Sequence, residues 1–184
     1  KGRLTTATFQ GRTLRRDHDA RGHVVREVWE AGGQSWTATA CWDAADHLVW
    51  RTFPDGDAAG SPSDPWLYDH AGRLTSIPGF VTGASWDARG QATGVAYPNG
   101  VDTSFAYHPT RGWLMALRTT APDGTALLEL AYTRAATGRI DAIADTTPGV
   151  PGPSRAFAYD EADRLLAADD LGSGQDQSFA YDPA

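Results

Sequence analysis

The sequence predicts an all-β chain of tandem antiparallel hairpins joined into a curved, continuous sheet. Three observations predict it: one turn frame recurs along the chain, the strands entering that frame alternate with a period of two, and the composition favours turns and pleated surfaces. The 184 residues include 20 Gly, 11 Pro, 7 Trp, 6 Tyr and 6 Phe. Gly and Pro punctuate turns, whereas large aromatic side chains suit a half-buried strand surface.

The frame is clearest at Tyr68-Asp69-His70-Ala71-Gly72-Arg73-Leu74, with Ile77 three residues beyond, and at Trp86-Asp87-Ala88-Arg89-Gly90-Gln91-Ala92, with Val95. Copies with the same spacing start at His18-Asp19, Trp42-Asp43 and Tyr159-Asp160, the last two with Asp46 and Asp163 in the glycine position. Two copies with longer loops are expected from Tyr107 to Gly112 and from Tyr132 to Gly138, and an eighth copy begins at Tyr181-Asp182. The period is loose, which fits hairpins whose loops vary in length.

Each residue type in the frame has a reason. An Asp opening a turn accepts hydrogen bonds from amides further along, and Gly enters the left-handed region that closes the loop. Asp is an acceptable substitute there, because it visits that region more readily than most residues. Before the turns, Phe105 and Tyr107, Leu128, Leu130 and Tyr132, Phe157 and Tyr159, and Phe179 and Tyr181 fall on one face; Ala106, Ala131, Ala158 and Ala180 fall on the other. A second kind of turn lies between frames at Pro54-Asp55-Gly56, Pro98-Asn99-Gly100 and Pro122-Asp123-Gly124. An isolated hairpin is marginal in water, so the units are expected to pair side by side and share a buried face.

The frames resemble the YD or RHS repeat family of bacterial polymorphic toxins, insecticidal toxin-complex shells, wall-associated proteins and teneurins, whose motif is close to Tyr-Asp-x-x-Gly-Arg-Leu-x-x-Ile. Tyr68 to Ile77 satisfies every fixed position, and Tyr97-Pro98-Asn99-Gly100-Val101 looks like the family's linker between repeats. His18, His108 and Thr133 depart from the pattern, and Pro148 to Pro153 is an insertion. The match runs over residues 16 to 184 as about seven repeats and a truncated eighth; residues 1 to 15 form an incomplete or divergent repeat, and the chain is expected to be a piece of a longer one. The resemblance implies a segment of a hollow β-shell that encloses a toxin or effector polypeptide, within an exported protein that is secreted or at the cell surface. Its partners would be the remaining repeats and the enclosed cargo.

Composition narrows the alternatives. Sixteen basic and 23 acidic side chains give a charge of −7 with no basic cluster, so nucleic acid is not an expected partner. No apolar run of membrane-spanning length occurs, and Cys41 is the lone cysteine, which leaves no disulfide framework. Asp17, Asp19 and Gly22 only faintly imitate a calcium loop, the histidines are dispersed, and Ser85 lacks the glycine context of a nucleophile elbow. No catalytic, cofactor or metal residue is therefore assigned, and no enzyme activity is expected. The frame aromatics are expected to pack between neighbouring repeats. Trp29, Trp36, Trp50, Trp66 and Trp113 lie off the frame, and their exposure would favour the alternative of an extracellular glycan-binding or adhesive module.

Overall fold

The structure is a computed structural model that describes residues 2–149, 152, 154–172 and 174–182. Among these residues every regular element is a β-strand. The chain divides into two compact units, 1–84 and 85–184.

In the first unit, β1 (Thr6–Phe9), β2 (Arg12–His18), β3 (Val24–Ala31), β4 (Gln34–Trp42), β5 (Leu48–Thr52) and β6 (Ala58–Ala59) form one antiparallel sheet in chain order. A two-stranded sheet of β7 (Leu67–Tyr68) and β8 (Leu74–Ser76) follows. It is tied to β5 where the Trp66 amide donates to the Val49 carbonyl at 2.8 Å. The first residues belong to the ladder too, since Thr6 to Phe9 pair with Arg15 to Arg12 around a two-residue turn at Gln10 (φ 47°) and Gly11 (φ 73°).

A second, nine-stranded sheet runs, again in chain order, through β9 (Gly83–Trp86), β10 (Ala92–Ala96), β11 (Asp102–Tyr107), β12 (Leu114–Thr120), β13 (Ala126–Arg134), β14 (Ile140–Asp145), β15 (Arg155–Tyr159), β16 (Leu165–Asp170) and β17 (Gln177–Ser178). Phe105, Leu117 and Leu130 stand opposite one another on successive strands, which makes an apolar stripe out of the alternation in the sequence. Part of the Pro148 to Pro153 insertion, between β14 and β15, lies outside the described residues.

The all-β, antiparallel hairpin architecture agrees with the sequence. Two details differ. The backbone ladder is divided among three sheets instead of running unbroken. The shared face is also only half-buried: the buried hydrophobic residues among those described are Val28, Ala38 and Ala59, and no large side chain is completely covered. Within each unit the strands pack against their sheet neighbours, so backbone pairing and polar contacts between repeats supplement a small core.

The ladder of β1 and β2 leaves alternate amides of β1 pointing away from the sheet. Residues flanking a two-residue turn form a hydrogen-bonded pair, so Phe9 and Ala7 face β2 and the Thr8 amide faces the open edge. Such an edge recruits further strands. Self-association of the isolated chain, read as a concentration-dependent sedimentation coefficient, is expected to weaken on Thr8→Pro. A monodisperse monomer across concentrations would contradict it.

Candidate functional site

The site with the most specific chemistry is the seam between one repeat and the next, rebuilt at successive turns. The frame turns opening at Asp19, Asp43, Asp69, Asp87, Ala135 and Asp160 have the same backbone bonds. At Tyr68 to Leu74, the Asp69 amide donates to the Arg73 carbonyl (2.9 Å) and the Gly72 amide to the Asp69 carbonyl (2.9 Å), with Gly72 at φ 75°. The register shifts by one residue beside the turn, where Tyr68 pairs with Leu74. This is a three-residue loop with a left-handed residue closing a bulge. Asp46 (φ 67°) and Asp163 (φ 59°) take the same conformation. The Pro-Asx-Gly turns have this geometry too: the Phe53, Tyr97 and Ala121 amides donate to the Asp57, Val101 and Thr125 carbonyls. The two kinds of turn in the sequence are thus one kind in the fold, differing in where the Asx side chain sits.

The frame Asp caps its own turn. Asp69 Oδ1 accepts from the amides of Ala71 (2.9 Å) and Arg73 (3.0 Å), while Oδ2 pairs with the Arg73 guanidinium (2.7 Å). Asp160 treats Ala162 and Arg164 in the same way, and Asp43 treats Ala45 and His47 so, with the His47 ring at 3.0 Å. Asp19 accepts from the amides of Gly22 (2.6 Å) and His23 (2.9 Å) and from the His23 ring. Its oxygens therefore serve the turn, and Asp17 faces Arg26, so the pair does not converge as calcium ligands. Among the described residues, no cluster of three or more His, Cys, Asp or Glu side chains is placed to hold a metal ion. Asp87 likewise caps Arg89 and Gln91.

The residue after the left-handed turn residue, glycine or aspartate, reaches forward into the next repeat at four seams. His23 stacks on Trp42 (centroids 4.7 Å apart) and His47 on Tyr68 (4.4 Å); the Arg139 and Arg164 guanidinium groups lie 4.7 Å from the Tyr159 and Tyr181 ring centres. The same aromatic residues donate back to the preceding repeat. Trp42 Nε1 donates to the Val24 carbonyl (3.1 Å), Tyr68 Oη to Leu48 (2.7 Å), Tyr159 Oη to Ile140 (2.9 Å) and Tyr181 Oη to Leu165 (2.9 Å). A ring contact and a hydrogen bond thus meet at one residue; each is worth roughly 0.5–1 kcal/mol in exposed settings. Arginines just before a turn glycine add a third link: Arg21 reaches the Ala44 carbonyl (2.8 Å), Arg111 that of Ala136 (2.7 Å), and Arg89 that of Pro109.

One frame starts elsewhere than its aromatic suggests. The Ala135 amide donates to the Arg139 carbonyl and Arg134 pairs with Ile140, so Arg134 occupies the aromatic position and the loop has the ordinary length. Tyr132 lies two residues upstream, opposite Ile143. Arg134 Nε donates to the Leu114 carbonyl (3.2 Å), replacing the missing aromatic donor. The frame from Tyr107 to Gly112 to Leu114 does have one additional residue: the His108 amide donates to the Trp113 carbonyl, and His108 Nδ1 faces the Thr110 and Arg111 amides as an aspartate oxygen would. Asp182 follows Tyr181 as an exposed residue.

The seam also bears on two residue types that the sequence leaves off the frame. His23 and His47 are not scattered surface histidines; they are held between their own Asp and the next aromatic. The signal was present, since both stand where Arg73 stands in its frame. Of the five tryptophans placed off the frame, Trp29 (37%) and Trp36 (42%) rank among the exposed large hydrophobics and face each other across β3 and β4. Trp66 instead donates to the Ala59 carbonyl (3.0 Å), and Trp113 follows Gly112 and packs over Gly138.

These contacts hold several carboxyls below their ordinary value of 3.8: Asp19 chiefly through the His23 side chain, Asp69 through the Arg73 side chain, and Asp43 and Asp160 through the amides of His47 and Arg164.

The geometry defines a tandem β-hairpin repeat protein whose repeats are stitched edge to edge. No protein-family model and no curated protein matches the chain. Solved structures do. The TcdB2–TccC3 complex matches with a TM-score of 0.73 and 19% identity over 85% of this chain. The Photorhabdus luminescens Tc holotoxin pore matches at 0.74 and 19% over 91%, and TcdB2–TccC3 without its hypervariable C-terminal region at 0.74 and 19% over 89%. In each case the match spans 9% of the solved chain. The chain therefore shares its fold with a segment of Tc toxin components.

Two outcomes are expected. Gly72→Val forces a β-branched residue into φ 75°, with the new Cβ 2.9 Å from the His47 ring, and should cost about 2 kcal/mol or more, whereas His70→Ala should cost about 0.5 kcal/mol or less. Equal loss in thermal denaturation would contradict the turn assignment. For the carboxyls, a depressed folded value means that their contribution is complete above 3.8 and is lost as pH falls through the folded values. The melting temperature should hold at mildly acidic pH and fall below about pH 4, less steeply in Asp69→Asn; an unchanged melting temperature down to about pH 2 would contradict this.

Proposed function

We propose that this chain is a wall segment of an RHS-type shell that encapsulates a toxin or effector polypeptide and helps deliver it, as part of an exported protein that is secreted or at the cell surface. The seam is the observation that carries this reading. At the seams of Trp42, Tyr68, Tyr159 and Tyr181, one repeat presents at its far edge a stacking side chain and a carbonyl that the next repeat's aromatic residue uses, so a wall could extend by repetition of this seam. The fold shared with Tc toxin components supports the same assignment. The partners are then further repeats and the enclosed polypeptide, and the mechanism is physical separation by backbone-bonded sheet. The recurring polar residues are committed to turns and seams, and no reaction is assigned to them.

Trp29 and Trp36, exposed and in register, favour one second reading, a glycan-binding or adhesive surface. Intact mass and peptide mapping of the natural polypeptide separate the two. A longer chain, with more repeats and a C-terminal polypeptide that resists protease until the repeats are denatured, is the expected result. A free 184-residue product whose tryptophan fluorescence responds to oligosaccharides would replace the shell with the adhesive module.

A further inference from the structure

At several turn glycines, though not at Gly90, where the space is open, the preceding residues fill the space that a side chain would need; over Gly22 the filling group is the Arg3 guanidinium. A Cβ built on Gly72 would lie 2.9 Å from His47 Nε2, on Gly138 2.6 Å from Trp113 Cζ2, and on Gly112 3.3 Å from Gln91 Oε1. These glycines are therefore required twice, by their positive φ and by their neighbour. Asp46 and Asp163 stand at the same position yet carry a side chain. At both, the group that the preceding repeat presents is a cation that pairs with the carboxylate, whereas the glycine turns are met by neutral groups as well as by a guanidinium. Asp46 Oδ1 lies 2.7 Å from Arg21 Nη1 and 3.2 Å from His23 Nε2, and Asp163 Oδ1 pairs with Arg139 Nη1.

We propose that an aspartate at the turn-glycine position is a neighbour-selecting residue, which docks only against a preceding repeat presenting a cation over the turn. Left-handed tolerance explains why Asp fits the backbone, but it does not explain why both carboxylates are met by cations from the repeat before. The two cases lie in different units of the chain. The rule is directional: the repeat opening at Tyr159 requires Arg139 before it, whereas the turn at Gly138 accepts the neutral ring of Trp113. The order of repeats is then written partly in this one pair of positions. The carboxylates are more than half exposed, so the selection acts through sign, by rejecting a neutral or acidic neighbour, and weakens in salt.

The test is a double-mutant cycle with Arg139→Glu and Asp163→Gly, read by amide hydrogen exchange. The informative amides are residue 163, which donates to the Asp160 carbonyl (3.1 Å), and Asp160, which donates to the Arg164 carbonyl (3.0 Å). Arg139→Glu also removes the contact with the Tyr159 ring, but it does so in both backgrounds, and the cycle cancels it. In the chain that keeps Asp163, Arg139→Glu should speed exchange at these amides by about threefold more than it does in the Asp163→Gly background, and about 1 M salt should abolish the difference. Equal acceleration in both backgrounds, or a difference that salt leaves unchanged, would overturn the proposal. Should the charge reversal prevent folding of the chain that keeps Asp163, the milder Arg139→Ala is compared in the same two backgrounds with the same two outcomes.

Discussion

The structure depends on a turn that holds its shape from within and offers its edge to a neighbour. An aspartate fixes the loop by accepting amides two and four residues on, and the left-handed residue closes it. The side chain that follows is then aimed across the gap to the next repeat. Tyr68 shows the result: its ring lies on His47 and its hydroxyl satisfies the Leu48 carbonyl, both in the preceding hairpin. Without the turn, the ring has nothing to stack on; without the seam, a hairpin remains a marginal structure.

That constraint accounts for the thin core. Three buried hydrophobic residues among those described are few for a chain of this size, yet a ladder of hairpins stabilised between neighbouring repeats does not need to bury large side chains completely. The half-buried stripe from Phe105 through Leu117 to Leu130 supplies apolar contact along the second sheet, and the seams supply direction and register. A wall made this way is extended by adding repeats, which is the property the proposed shell requires.

Much of this was legible in the sequence because the frame ties residue type to backbone geometry. Aspartate before glycine at a fixed spacing specifies the turn, and Asp46 and Asp163 adopt positive φ in the glycine position. Strand alternation before Tyr107 and Tyr159 points to the sheet. What was not legible depends on contacts between repeats. Arg134 takes the aromatic position because its guanidinium can reach the Leu114 carbonyl, a role that the nearby ring of Tyr132 hides in the sequence. His23 and His47 look scattered because the stacking partner of each lies about 20 residues away, in the next repeat. The division of the ladder into three sheets depends on strand pairing around β6 and β7, where the strands are only two residues long.

The central claim is that the frame aromatic, and not simply any aromatic in the strand, joins neighbouring repeats. Removing one oxygen atom tests it most directly. Tyr159→Phe leaves the Ile140 carbonyl without its 2.9 Å donor while keeping the ring over Arg139, and Tyr132→Phe makes the same chemical change one repeat earlier at a position outside the frame. Measured by chemical denaturation, Tyr159→Phe is expected to cost about 1 kcal/mol and Tyr132→Phe almost nothing. Equal losses, or a larger loss at Tyr132, would contradict the account.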